Sequence, residues 1–533
     1  MLRKLHISCI SALEIDMRLS KYYFFVFIII IISILLRFCL LQNQSLWFDE
    51  GWSLALSDGR TFQENLSGII NREAGDKYQP LYYLVLFYWR SAFGDSEFAI
   101  RSLSALLGVG SVIAIFFTSL RVYGKKHALW SSMLLAVSSF SVFYSQDARP
   151  YALLIFITTL QIYFFSHSIK EDKSNKIISQ VLFGIFTAIG SFGSILTIIF
   201  SFSLSLSHAL VYKKFKEWIK WWIPAVIFSS PMIWFYLSSP AVSDPTATVV
   251  TRTGLPIVQN ILFVIYGILV GTSYGPPLEQ LRGEEKIKVL LSYWPHFLIL
   301  IIVISVIFIA LVTSLLRQHK IKKYQQADYL FTSLLVTSFL IAFIFALVTK
   351  INWLPRHSFY LCIPAFILIP SAFLHNSYRQ NKLDILPQFA KLATVFLVIM
   401  NVYSNFQYYL NPAYAKDDYR SAVHYLLQHR DKSTKSVLFF GQPRLLQYYG
   451  DSSTLYAPEY ILRTMKGKNL AEKVSTITKN ADTVFVITNR EFYWGLKDVF
   501  KREMSDLYNL EEEVDWPYMK IYRFTRKKSK KAP

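Results

Sequence analysis

Between residues 22 and 409 the chain keeps returning to apolar runs long enough to cross roughly 30 Å of hydrocarbon, and no other feature narrows its possible folds as far. The runs fall at 22–40, 98–120, 128–144, 150–166, 177–189, 195–211, 221–237, 293–316, 329–349, 359–374 and 389–409. In lipid every backbone N–H and C=O needs an internal partner, so each run predicts a helix. The chain reads as a polytopic α-helical membrane protein of about eleven spans, with 177–189 short enough to be tilted or to thin the bilayer. Composition agrees, since 53% of the 533 residues are hydrophobic and only 17% charged.

The net charge of +21 sits largely in Lys and Arg clusters between the runs, the pattern of loops held on the cytoplasmic side, so nucleic acid is excluded as a partner. Cys9, Cys39 and Cys362 are scattered and support neither a disulfide framework nor a metal-thiolate site. Arg3, Lys4, Arg18 and Lys21 precede the first run, and no small-residue cleavage site follows it. We read that run as a retained first helix after a cytoplasmic segment at 1–21, with Met17 as an alternative start.

Two further apolar stretches, 81–93 and 257–271, are decided by charge. Leaving both in the interface places Arg121, Lys125 and Lys126, and also Arg317, Lys320, Lys322 and Lys323, on the cytoplasmic side. The N-terminus is then inside and the C-terminus outside. Residues 411–533 mix a capped helical stretch, "DDYRSAVHYLLQHR", with strand-like "SVLFF", "DTVFVIT" and "MKIYRF", which predicts a small extracytoplasmic α/β domain after a transmembrane domain at 22–410.

With that parity the outer face collects Asp49 and Glu50 in "SLWFDEGWS", Gln79 and Tyr82 in "KYQPLYY", Asp147, Arg149 and Tyr151 in "SQDARPYAL", Arg252, and Arg356 in "NWLPRHSFY". Taken singly, Asp49 and Glu50 could cap an interfacial helix. Asp147 with Arg149 could pair across a turn, and Arg356 could anchor a span end. Their recurrence on one face favours a shared site.

These motifs, with "QPLYYLVLFYWRSAFGDSEFAIRSLSAL", "LPRHSFYLCIPAFIL" and "YAKDDYRSAVHYLLQ", resemble the bacterial glycosyltransferase family 39. That family belongs to the membrane-embedded GT-C class, with the protein O-mannosyltransferases and the lipid A aminoarabinose transferases. The resemblance implies a sugar donor linked to a polyprenyl phosphate, an extracytoplasmic acceptor that is a lipid, protein or glycan, inversion at the anomeric carbon, and a prokaryotic inner membrane. Asp49 is expected as general base, with Asp147 and Glu50 orienting the acceptor or the developing charge. Arg149 and Arg356, with Arg252 behind them, are expected on the phosphate, because guanidinium binds it through a planar fork. Gln79, Tyr82 and Tyr151 complete the expected substrate-binding set, and 81–93 supplies aromatic residues for a prenyl groove. Outer acids could hold a divalent cation, but no His or Cys spacing requires one.

The chain departs from the family at "AIGSFGSIL", where relatives carry a histidine, at Gln79, and at His357, where a tyrosine is usual. Rival readings are a polyprenyl-linked lipid flippase, which predicts ionisable groups in mid-span and repeat symmetry, and a non-catalytic scaffold.

Overall fold

The computed structural model describes residues 2–72, 75–169, 176–239, 258–282, 285–317, 325–349, 353–375, 385–430, 437–450, 455–456, 470–478, 481–491 and 496–528. The apolar runs form helices α1 (Leu2–Phe38), α5 (Glu97–Val122), α6 (Lys125–Val137), α7 (Ser139–Ser145), α8 (Tyr151–Ile169), α9 (Lys176–Ser191), α10 (Ile195–Tyr212) and α11 (Phe215–Ser238). Later in the chain come α12 (Val258–Val270), α13 (Lys286–Ser292), α14 (Trp294–Arg317), α15 (Gln325–Thr349), α16 (Cys362–Leu368), α17 (Ser371–Leu374) and α18 (Leu386–Leu410). Short helices α2 (Phe48–Leu56) and α3 (Phe62–Ile70) and the longer α4 (Pro80–Phe93) lie between α1 and α5. Among the described residues, seven helices are long and apolar enough to cross a membrane, and α8, α9 and α12 are shorter apolar helices. This is a multi-pass membrane protein.

Two of the runs are broken rather than straight. The run 128–144 divides at Ser138 into α6 and α7, bent by 57°. Side chains from neighbouring helices engage several of the peptide groups at the bend. Arg37 donates to the carbonyls of Leu135 (3.1 Å) and Ala136 (3.0 Å), and Asn405 to that of Val137 (2.8 Å). Asn401 accepts from the N–H of Ser139 at 2.9 Å. Gln146, just past α7, donates in return to the α1 carbonyls of Leu36 (3.2 Å) and Arg37 (3.3 Å). Arg37 stands near the end of its span, where a long basic side chain would be expected to reach for water. It is instead fully buried and serves the broken helix. The run 359–374 is likewise interrupted, passing from a 3₁₀ turn at Pro355–Leu361 into α16 and α17. Pro364 and Pro370, which cannot donate backbone hydrogen bonds, lie in this stretch.

After α18 the chain builds a five-stranded sheet: β1 (Val437–Phe440), β2 (Leu455–Tyr456), β3 (Thr483–Asn489), β4 (Tyr508–Trp516) and β5 (Met519–Arg526), in the order β2-β1-β3-β5-β4. The first three strands are parallel, and β5 and β4 add antiparallel. Strand β4, "YNLEEEVDW", escapes a hydrophobicity reading because an edge strand needs few apolar residues. Alternate residues face opposite layers. Leu438, Phe440, Val484 and Val486 pack with Leu470, Val474, Phe500 and Met504 of helices α21 (Leu470–Ile477) and α22 (Val499–Met504). Val437, Phe439, Phe485 and Ile487 pack with α19 (Tyr419–His429) and α20 (Pro443–Tyr449), and this core continues without a gap into Leu46, Leu54, Tyr82 and Ile100 of the helical part.

Docking of the sheet domain is tight at α2. A Cβ added to Gly51 would lie 2.2 Å from Cγ of Gln442 and 2.8 Å from Cγ of Leu445, so a larger residue beside the acid pair would push the domain away. Ion pairs frame the contact, Arg444 with Asp58 at 2.5 Å and Arg420 with Glu97.

Candidate active site

The site lies where α2, the α7–α8 turn, the Pro355 turn and the sheet domain converge. A cavity of about 370 Å³ is lined there by Trp47, Tyr144, Asp147, Tyr151, Arg356, Lys416, Arg490 and Tyr518. Phe263, Leu278 and Leu281 make its apolar side.

The two adjacent acids of α2 have different surroundings. Glu50 is fully buried between Arg101 Nε (2.7 Å) and Nη2 (2.6 Å), the N–H of Ala148 (2.9 Å) and the N–H of Trp47 (3.3 Å). Burial would raise its pKa, but Arg101, Lys416 and these donors outweigh it and hold the carboxyl well below the usual range. With both oxygens engaged, Glu50 joins α2 to α5 and to the α7–α8 turn, and has no oxygen left for an acceptor. Asp49 points the other way. Its carboxylate keeps 24% of its exposure and, among the described residues, meets only the Arg356 guanidinium, at 3.4 Å.

Asp147 is also buried, yet lines the cavity. Its Oδ1 accepts from Trp47 Nε1 (2.7 Å) and Lys416 Nζ (3.3 Å), while Oδ2 has no partner among the described residues. Burial, offset in part by Lys416 and reinforced by Glu50, pushes its pKa up to about 6.

The other residues expected in the site divide. Arg356 and Tyr151 line the cavity. Arg149 does not: Nη2 pairs with Asp76 at 3.0 Å and Nη1 donates to the carbonyl of Asp49 at 3.2 Å, so this guanidinium braces the backbone of the acid. Asp76 is in turn held by Arg72 and by the Tyr83 hydroxyl. Tyr82 is fully enclosed and bonded to Ser104, where a substrate cannot touch it. Gln79 follows the 3₁₀ turn Gly75–Tyr78 as the N-cap of α4, and neither it nor α4 contributes to the cavity wall; the apolar side comes from α12 and the segment after it. Arg252 lies outside the described residues. No group of three or more His, Cys, Asp or Glu side chains able to hold a metal occurs among the described residues.

Arg101, Asp76, Lys416 and Arg490 were not singled out by sequence reasoning. Arg101 did carry a signal, as a lone charge inside an apolar run, where an ion needs a partner. Lys416 and Arg490 lie in the polar tail, where a basic residue is unremarkable.

The architecture can now be compared with known proteins. ArnT from Cupriavidus metallidurans in the apo state superposes with a TM-score of 0.57 at 10% identity, covering 95% of this chain and 98% of that one. The same protein bound to undecaprenyl phosphate gives 0.53 at 13% identity, over 93% and 97%. This is a GT-C fold. The Archaeoglobus fulgidus oligosaccharyltransferase in complex with Zn and sulfate also matches the GT-C bundle, at 0.53 and 12% identity over 92% of this chain and 72% of that one. Residues 79–235 match the family described as dolichyl-phosphate-mannose-protein mannosyltransferase, a stretch that spans α4 to α11 of the GT-C bundle. An uncharacterized protein of Aquifex aeolicus (strain VF5) is 28% identical over 130 residues, which is 22% of this chain and 30% of that protein.

Proposed function

We propose that the protein is a membrane glycosyltransferase that passes a sugar from a polyprenyl-phosphate-linked donor to an acceptor hydroxyl, on the extracytoplasmic face of a prokaryotic inner membrane. One observation carries this reading: a partly open carboxylate, Asp49, stands just behind the cavity wall, 3.4 Å from the permanently charged Arg356, which lines that cavity among aromatic and aliphatic side chains. A polyprenyl phosphate leaves as an anion and needs charge balance rather than a proton, which a guanidinium supplies in a weakly polar interface. The acceptor oxygen attacks the anomeric carbon, the bond from that carbon to the phosphate oxygen breaks with its electrons going to phosphate, and the hydroxyl proton passes to Asp49. Asp147, held by Lys416, orients the acceptor from the opposite wall, and Phe263, Leu278 and Leu281 receive the start of the prenyl chain. Glu50 and Arg149 hold α2 in place. The helical part at 22–410 and the domain at 411–533 then act together as one catalytic unit. The ArnT structure bound to undecaprenyl phosphate supports the donor class, and the mannosyltransferase family match supports the transfer.

The test is release of sugar from a polyprenyl-phosphate donor by purified protein with a hydroxyl acceptor. Asp49→Asn keeps size and most hydrogen bonding while removing basicity, and should lower turnover by roughly 10²–10⁴-fold with donor binding and melting temperature retained. Turnover within a few-fold of the parent would leave Asp49 as a first-turn residue of α2 only, since the N-cap position is held by Trp47.

A further inference from the structure

Beyond Lys416, the sheet domain brings Arg490 and Tyr518 to the cavity, and both have unusual backbones. Arg490 has φ 51° and Tyr518 φ 57°, in the left-handed region that non-glycine residues rarely occupy. Arg490 follows β3, and Tyr518 lies in the two-residue turn between β4 and β5. They are tied together by the Arg490 N–H to the Tyr518 carbonyl at 2.8 Å, to which Asn489 also donates at 3.2 Å. Strain of this kind persists where surroundings over-determine it, and it collects at ligand-binding positions.

The Arg490 side chain is held at its root and open at its tip. Nε donates to Asp417 at 2.8 Å, and the planar group lies over the Trp47 ring at 5.3 Å and the Tyr518 ring at 5.0 Å. Its two terminal nitrogens make no hydrogen bond among the described residues. Asp417 is itself fully buried, and its second oxygen accepts from the N–H of Phe48 at 3.3 Å, one residue before Asp49. A single carboxylate thus fixes the fork of Arg490 relative to the start of the helix that carries Asp49. Burial works against the charge on Arg490, but Asp417 and then Asp49 raise its hold on the proton, so the fork stays cationic. Lys416 offers no such vacancy, because its ammonium is already engaged by the Gln146 carbonyl (2.9 Å) and by Asp147 (3.3 Å).

We propose that Arg490, delivered by the C-terminal sheet domain, binds the phosphate of the lipid-linked donor together with Arg356, so that the donor site is incomplete without that domain. A half-buried fork with its inner nitrogen clamped and its outer nitrogens unengaged among the described residues matches a tetrahedral oxyanion, which takes two parallel N–H bonds. The inference rests on the donor class proposed above.

The probe is undecaprenyl phosphate, with undecaprenol as the uncharged control, titrated into full-length protein in lipid nanodiscs and followed by quenching of tryptophan fluorescence. Arg490→Gln should weaken binding of the phosphate lipid by about tenfold or more and leave undecaprenol unchanged, and Arg490→Lys should recover only part of the loss. In the parent protein, bound undecaprenyl phosphate should protect Arg490 from phenylglyoxal, read by peptide mass spectrometry; this arm needs no variant to fold. Unchanged phosphate-lipid affinity in a folded Arg490→Gln, or equal modification with and without lipid, would overturn the proposal. If the parent and Arg356→Gln bind undecaprenyl phosphate and undecaprenol alike, the donor reading itself fails. If only the Arg490 arms fail, that reading stands without the contribution of the sheet domain.

Discussion

Two polar clusters are buried at opposite ends of the helical bundle, and they differ in what they leave over. Helix α5 joins them, from Arg101 to Val122 beside Tyr123, a distance of roughly 30 Å at the rise of an α-helix. At the far end Asp328 accepts from the hydroxyls of Tyr123 and Ser371, both at 2.8 Å, and lies 2.7 Å from Nδ1 of His375. His127 stacks on Tyr123 at 4.0 Å and reaches the Ile367 carbonyl at 2.7 Å. Every polar atom in that description is answered by a neighbour. At the other end Asp147 Oδ2 and the Nε atoms of Arg149 and Arg356 are buried with no partner among the described residues, and Asp147 and Arg356 line a cavity. Burial of charge is common to both clusters, so it cannot by itself mark the place of chemistry. Unspent hydrogen-bonding capacity beside an open volume does.

That contrast can be broken by substitution. The largest effect on stability should come from Arg101→Met, which strands the Glu50 carboxylate in a dry site. Breaking a buried pair costs about 3–5 kcal/mol, and thermal unfolding in detergent should show a large loss together with loss of activity. Asp328→Asn should cost less, about 1–3 kcal/mol, while turnover per folded molecule stays within twofold of the parent. A drop in turnover like that expected of Asp49→Asn would place the far cluster in the mechanism and erase the distinction.

The smallest effect is in pH dependence. Asp147, pushed up to about 6 from an ordinary value near 3.9, binds its proton more tightly in the folded protein. Its contribution to stability is therefore fully present below about pH 4 and lost as pH rises through about 6. Glu50, held low, works in the opposite sense and loses its contribution only below about pH 4. Between pH 4 and 7, Asp147→Asn should flatten the pH dependence of the melting temperature by about 2–4 °C. An unchanged profile would mean that Asp147 is not the group that titrates there.

Much of this was legible in residue order, and the reasons for the exceptions are physical. Spans announce themselves because lipid permits few alternatives to a long apolar helix, and each run at 22–409 has a helical counterpart. Asp49, Asp147 and Arg356 could be grouped because each stands at the end of a run, so alternation of the spans alone puts them on one side. Pairings could not be read: Glu50 and Arg101 are 51 positions apart, and Lys416 reaches Asp147 across 269. Ser138 and Ser139 give the run 128–144 only a slight polar dip, too little to reveal the bend. Arg490 was invisible because its role depends on a β-turn and a distant aspartate meeting over Trp47.

The bend between α6 and α7 also has a history in time. Val137 and the asparagine that answers its carbonyl are separated by 268 residues. At a synthesis rate of roughly 5–20 residues per second, about 13–54 s pass before Asn405 leaves the ribosome. Until then the newly inserted segment lacks what makes a bend tolerable in lipid, and a straight helix is its better-satisfied form. The turn that carries Asp147 should therefore reach its final shape only after α18 has inserted, which makes maturation of the site one of the last events in the biogenesis of the chain.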